Sequence, residues 1–263
     1  MPSVPLSPTL PPIPAIGLTM KPNFMFLTVQ NHALFYTANY LGIFAFKAIE
    51  KREIKLRAAN SSQNHGTFSI LAASSDKKLM GVAVASGSTS VGERVPHAKP
   101  GVGVIATQAY TNVLYGVKGL ELLAKGFSPK EALNTLLAED AERELRQVAI
   151  MDFQKRKAVF TGKSVPDFWA EIVGENCVAI GNLLARSEVV SKMAESFENS
   201  RSSFALRLVE ALKAGSETGG DKRGERSAAL IVVDARKAIL NLKVDFHPKP
   251  IDELLRQLKH AKP

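Results

Sequence analysis

Apolar and polar positions along the chain fall into two regimes that meet near residue 66. From Thr67 onward the apolar runs are short, dense and regularly punctuated. Residues 68–73 and 79–85 (LMGVAVA) flank the turn Asp76-Lys77-Lys78 and predict a hairpin. Its second strand is apolar enough to be buried on both faces. Residues 102–109 predict a third strand, and 115–124 a helix ended by Gly126. Ser128-Pro129-Lys130-Glu131 opens the next helix: Ser as N-cap, Pro at the first helical position, Glu completing a capping box. That helix runs to about Asp140. Residues 146–152 and 157–161 predict a strand pair, and 177–180 a short strand. Two helices follow, one over 187–198 capped by Ser187 and one over 203–214 stopped by Gly215. Residues 227–233 and 238–244 predict a last hairpin, turning at Asp234-Ala235-Arg236, before a terminal helix over 250–259.

Strands and helices therefore come in pairs rather than alternating singly. That order predicts an α+β domain with antiparallel sheets and layered helices, not a doubly wound sheet. Two helical pairs and about eight strands suit two stacked sheets with helices outside each, an αββα four-layer sandwich. The domain is expected over 67–250, with 251–263 as a basic C-terminal helix or tail.

The first 66 residues read differently. Residues 2–22 are proline-rich, with Pro11 and Pro12 adjacent, and cannot form helix or sheet interior. Residues 24–49 are apolar and aromatic but broken by Gln30, Asn31, His32 and Asn39. The clean apolar run from Ala33 is shorter than the roughly 18 to 20 residues a membrane span needs. A basic stretch from Lys47 to Arg57 closes it. Three readings stay open: a targeting segment or signal anchor, a helix packed on the domain, or sequence upstream of the true start codon. Residues 60–66 form a polar boundary loop.

Composition narrows the chemistry. Of 263 residues, 45% are hydrophobic, enough for a large core. One cysteine, Cys177, excludes an internal disulfide and fits a reducing compartment. A cytoplasmic location is expected, and a secreted or membrane-tethered one if the leader is a targeting segment. The net charge is +9. Six Lys/Arg against two acids in the first 66 residues, and seven against three in residues 235–263, place most of that excess at the ends. A solvated surface accounts for it. Basic residues are not interleaved with aromatics as single-strand readers require, so no nucleic-acid partner is expected. No Cys/His spacing suggests a metal site. Gly101-Val102-Gly103-Val104 lacks the frame of a nucleotide loop. His97 and His247 lie beside prolines without partners at ligand spacing, and read as structural.

The segments TFSILA at 67–72, GVAVAS at 81–86 and VGERVPHAKPGVGVIATQAYTNVLYG at 91–116 carry a resemblance. So do GLELL at 119–123, RELRQVAIMD at 143–152, FTGK at 160–163, GN at 181–182 and GGDKRGERSAALIVV at 219–233. Together, in this order, they resemble the family numbered 1028 among the domains of unknown function. Members usually begin at the position of Thr67. The family is similar in fold to the N-terminal-nucleophile (Ntn) hydrolases, and the resemblance supplies no substrate. The chain departs from it at Val165, where many members have Cys, and at Arg226, where Gln is common. The first departure weakens any thiol or metal role near Trp169.

The resemblance points to Thr67 as a catalytic residue. A free N-terminal Thr carries nucleophile and base on one residue, because its α-amine has a reference pKa of about 7.7 to 8.0. Here Thr67 follows Gly66, so its nitrogen is an amide unless the chain is cut at that bond. Glycine there permits the backbone strain that attack on the preceding carbonyl requires. Threonine also simply favours strands. Gln108 and Asn112, after the third strand, and Asn182, after a strand end, are expected to bind a carbonyl or oxyanion, or else to serve as polar turn residues. Asp221 and Arg223, in a Gly-rich loop, are expected to orient the amine or clamp a carboxylate, or else to be surface charges. Ser227 and Ser86 are expected near the amine, the latter if the hairpin register allows. The expected activity is hydrolysis of a small amide or peptide without a cofactor. The alternative is a non-catalytic binding protein on the same fold. A homodimer is the expected assembly.

Overall fold

The computed structural model of the protein describes residues 66–166 and 168–261. The leader, with its three readings, lies outside the described residues. Among the described residues the chain is mixed α and β, with two antiparallel sheets and five α-helices. In chain order the elements begin with β1 (Thr67–Ala73), β2 (Met80–Ser86), β3 (Pro96–Lys99) and β4 (Gly103–Ala109). Then follow α1 (Leu114–Ala124), α2 (Pro129–Glu139), β5 (Arg146–Asp152), β6 (Lys157–Thr161), β7 (Ala170–Val173) and β8 (Cys177–Asn182). The chain continues through α3 (Glu188–Asn199), α4 (Phe204–Glu217), β9 (Ser227–Val233), β10 (Ala238–Val244) and α5 (Pro250–His260). A six-stranded sheet has the order β10-β9-β2-β1-β8-β7, and a four-stranded sheet the order β3-β4-β5-β6.

Strand alternation explains the packing. In β1, Phe68, Ile70 and Ala72 point to one face, where α3 supplies Met193 and Phe197 and α4 supplies Leu208 and Leu212. Leu71 and Ala73 point to the other face, where Val82 and Val84 of β2 meet Val104, Ala149 and Met151 of the second sheet. Both faces of β1 and β2 are thus covered, which is why they read as near-continuous apolar runs. The far face of the second sheet packs Ile105, Val148 and Ile150 against Leu120 and Leu123 of α1 and Leu133 and Leu136 of α2. Ile251 and Leu254 of α5 are buried with the first group, so this basic segment is anchored by an apolar stripe.

Local expectations fare unevenly. The capping box holds: the Glu131 N–H donates to Ser128 Oγ (3.3 Å) and the Ser128 N–H to Glu131 Oε2 (2.8 Å). Ser187 stands before α3 but caps nothing; its hydroxyl donates to the Glu188 carboxylate instead. Helix α4 does not stop at Gly215, which lies inside it facing Met193 of α3, where a Cβ would come within 2.8 Å of Met193 Cγ. The chain turns later, at Gly219 and Gly220, both at positive φ. Two strands are additional to the sequence reading, β3 and β7. Both are four-residue edge strands. One begins with proline, which an edge tolerates because it lacks a ladder donor. The other is largely exposed and so shows no alternation.

Candidate active site at Thr67

Polar residues collect at one end of the stacked sheets. Ser227, Ser86, Thr67 and Asn182 stand side by side across β9, β2, β1 and β8, because the register pairs Ser86 with Ser227 and Thr67 with both Ser86 and Asn182. Paired residues of an antiparallel ladder share a face. The odd positions of β1 look toward the second sheet, so this row does too. There Gln108 of β4 and Gln147 of β5, themselves paired, look back. All six are buried, Thr67 at 2% exposure.

Hydrogen bonds tie the two sides together. Gln108 Nε2 donates to the Thr67 carbonyl (3.1 Å) and to Gln147 Oε1 (2.8 Å), and Gln108 Oε1 accepts from Ser69 Oγ (2.6 Å). Asn182 Nδ2 donates to the same Gln147 Oε1 (3.1 Å), and Gln147 Nε2 donates to the Gly181 carbonyl (3.0 Å). Both protons of the Gln108 amide are therefore spent inside the protein, which argues against its expected role as an oxyanion donor. Asn182 Oδ1 is buried without a partner among the described residues.

The focus of the cluster is the carbonyl of Gly66, the residue before Thr67. It accepts from Thr67 Oγ1 (2.7 Å), Ser86 Oγ (2.6 Å) and Arg223 Nη2 (3.1 Å). The two hydroxyls lie 3.0 Å apart. The hairpin register thus does bring Ser86 to Thr67. A charged donor beside two hydroxyls polarises the carbonyl strongly, since charge-assisted hydrogen bonds are about twice as strong as neutral ones.

Asp221 holds Arg223 in place. Its side chain is fully buried and accepts from Arg223 Nε (3.0 Å) and Nη2 (2.8 Å), from the Arg223 N–H (3.0 Å) and from the Gly87 N–H (2.7 Å). Arg223 is therefore matched to an internal carboxylate, contrary to the expected clamp for a substrate carboxylate. Ser227 shapes the loop after β2: its hydroxyl donates to the Ser88 carbonyl (2.6 Å) and accepts from the Val91 N–H (3.1 Å). Asn112 lies outside the cluster. Its Oδ1 accepts from the Leu114 N–H at the start of α1, and its Nδ2 reaches Asp140, the partly buried partner of Arg146.

Backbone strain borders the site. Among the described residues, the non-glycine residues at positive φ are Lys77, Ser90, Ala109, Lys155 and Leu183. Ala109 directly follows Gln108, Leu183 directly follows Asn182, and Ser90 sits in the loop held by Ser227. Such residues cost on the order of 1–3 kcal/mol and persist where the surroundings over-determine them. Gln147, Ser69, Ser88 and Arg94 escape the sequence reading. Arg94 donates to the Ser88 hydroxyl, which in turn touches Ser86 Oγ at 2.9 Å. Burial holds the Arg94 guanidinium below its usual pKa. His97 packs its ring against Gly116, where a Cβ would come within 2.1 Å of Cδ2, in keeping with a structural role.

Fold and site define an α+β protein whose polar centre begins at the first residue of β1. The model for the "Family of unknown function (DUF1028)" matches residues 67–254. A solved DUF1028 protein from Silicibacter pomeroyi is 33% identical, with a TM-score of 0.71 over 75% of this chain and 87% of its own. Anbu (ancestral beta-subunit) from Yersinia bercovieri is 10% identical over 74% of this chain and 98% of its own, with a TM-score of 0.35, too loose to speak for the fold. Curated proteins give no match. The chain belongs to the DUF1028 family.

Proposed function

We propose that the protein is an amidohydrolase of the N-terminal-nucleophile kind, built as an αββα four-layer sandwich, with Thr67 as nucleophile once the Gly66–Thr67 bond is broken. The observation that carries this reading is the Gly66 carbonyl, gripped by Ser86 Oγ and Arg223 Nη2 with Thr67 Oγ1 at 2.7 Å. Residues 67–250 are then the working domain, 251–263 its basic tail and 1–66 the segment removed.

In the cut, Thr67 Oγ1 attacks the Gly66 carbonyl carbon. The oxygen becomes an oxyanion held by Ser86 and Arg223. The carbon–nitrogen bond breaks, the Oγ1 proton ends on the released amine, and Gly66 is left as an ester on Oγ1. Water hydrolyses the ester to a Gly66 carboxylate and a Thr67 with free amine and hydroxyl. A small amide or peptide substrate then meets the same groups. The neutral amine takes the Oγ1 proton, the same donors hold the oxyanion, and the leaving amine departs with that proton; water then hydrolyses the acyl ester, releasing the acyl group as a carboxylic acid and restoring the Thr67 hydroxyl. Removing one such donor typically costs on the order of 10²-fold to 10³-fold in rate. The chemistry asks for no cofactor.

A binding module on the same fold is the second reading, favoured by the burial of Thr67 and by the internally spent Gln108 amide. N-terminal sequencing with an amide-hydrolysis assay on Thr67→Ala and Ser86→Ala separates the two. Hydrolysis abolished in the first variant and slowed about 10²-fold in the second supports the enzyme. Unchanged hydrolysis in Thr67→Ala sinks it.

A further inference from the structure

We propose that the acyl subsite beside Thr67 admits only donors whose α-carbon bears no side chain, a glycyl residue or a simple acyl chain, and that Asp221 is the residue that enforces this. The inference rests on Thr67 being the nucleophile. The ester formed from Gly66 during the cut and the acyl-enzyme formed from a substrate are the same kind of species, an acyl group on Thr67 Oγ1. The place Gly66 occupies is therefore the place a substrate's acyl group takes.

That place has room for a carbonyl and none for a substituent. A Cβ on Gly66 would lie 2.5 Å from Asp221 Oδ2 and 2.7 Å from both its Cγ and Oδ1, a collision with the whole carboxylate. The carboxylate has no cheap way to move. It is fully buried, accepts from Gly87 N–H at 2.7 Å, and grips Arg223 by backbone and guanidinium. Its own backbone is fixed by a bridge to Leu184 and by donating to Glu225 Oε1 at 3.1 Å. Gly87 has no side chain for a matching reason, since a Cβ there would lie 2.8 Å from both Arg223 Nη2 and Asp221 Oδ2. The groups that hold the carbonyl oxygen, Ser86 and Arg223, are thus locked to the group that excludes the side chain. Overpacking against a wall this rigid is unfavourable.

The test compares the p-nitroanilides of N-acetylglycine and N-acetyl-L-alanine on full-length protein whose N-terminus has been shown to have become Thr67. The glycyl compound is expected to exceed the alanyl one in kcat/KM by at least about tenfold. In Asp221→Ala that ratio is expected to fall toward one; should the variant not fold, the ratio in the unaltered protein decides alone. Hydrolysis of both compounds within about twofold would overturn the inference while leaving Thr67 as nucleophile. Failure to hydrolyse either compound, from a protein that begins at Thr67, overturns the hydrolase reading and this inference with it.

Discussion

Replacing Gln108 by leucine removes the amide that joins the two sheets at the site while keeping its approximate volume. The Thr67 carbonyl loses a 3.1 Å bond, Ser69 Oγ a 2.6 Å bond and Gln147 Oε1 a 2.8 Å bond. Gln147 Oε1 keeps Asn182 Nδ2, so its loss is small. Ser69 and Thr67 are at 0% and 2% exposure and cannot turn to water. Leaving a buried polar group without its bond costs about 1–3 kcal/mol each. The leucine's extra apolar surface returns about 1 kcal/mol. The expected net destabilisation is about 1–5 kcal/mol. Guanidinium denaturation followed by far-ultraviolet circular dichroism measures it as a lower midpoint at unchanged slope. A variant within about 0.5 kcal/mol of the parent would show that this network does not hold the sheets together.

Three further outcomes follow from the packing. Burial alone would raise the Asp140 pKa, but hydrogen bonds from Arg146 and the Glu142 N–H, with the Arg146 charge, outweigh it and hold the carboxyl below its usual value. A depressed folded pKa gives stability that is present above the unfolded value and lost as pH falls through the folded one. Asp140→Asn should therefore flatten the acid limb of stability below about pH 4; parallel limbs would contradict it. Burial, then the Glu198 charge, pushes the Cys177 thiol up to about 12, so a thiol reagent at neutral pH should label the protein only in denaturant, and rapid native labelling would refute that. Phe197→Ala empties a fully buried position that stacks edge-on with Phe204 (6.1 Å) and lies under Arg207 (4.1 Å). It should cost about 3–5 kcal/mol by denaturation, and a loss under about 1 kcal/mol would contradict this packing.

Much of the fold is legible because β1, β2, β4 and β9 bury both faces, and a strand that does so is written as an apolar run. The two four-residue edge strands are not, since an exposed edge imposes no pattern. Gly215 reads as a helix stop and is instead a close contact with Met193, a distinction set by a neighbouring helix rather than by local sequence. At the site, Thr67, Ser86, Asp221, Arg223 and Ser227 come together around Gly66 and its flanking loop. Gln147 escapes notice because a polar residue beside Arg146 near the start of RQVAIMD reads as a strand boundary. Its importance exists only once β5 faces β8. Asn112, four residues after Gln108, is carried away by the turn at Ala109 and spends itself on α1.

The account depends on one peptide bond. Intact mass and N-terminal sequencing of the full-length protein and of Thr67→Ala, incubated side by side, test it most directly. The account predicts a chain beginning at Thr67 in the first and none in the second. A parent protein that hydrolyses amides with Gly66–Thr67 intact, or a Thr67→Ala variant cut at the same bond, would contradict it.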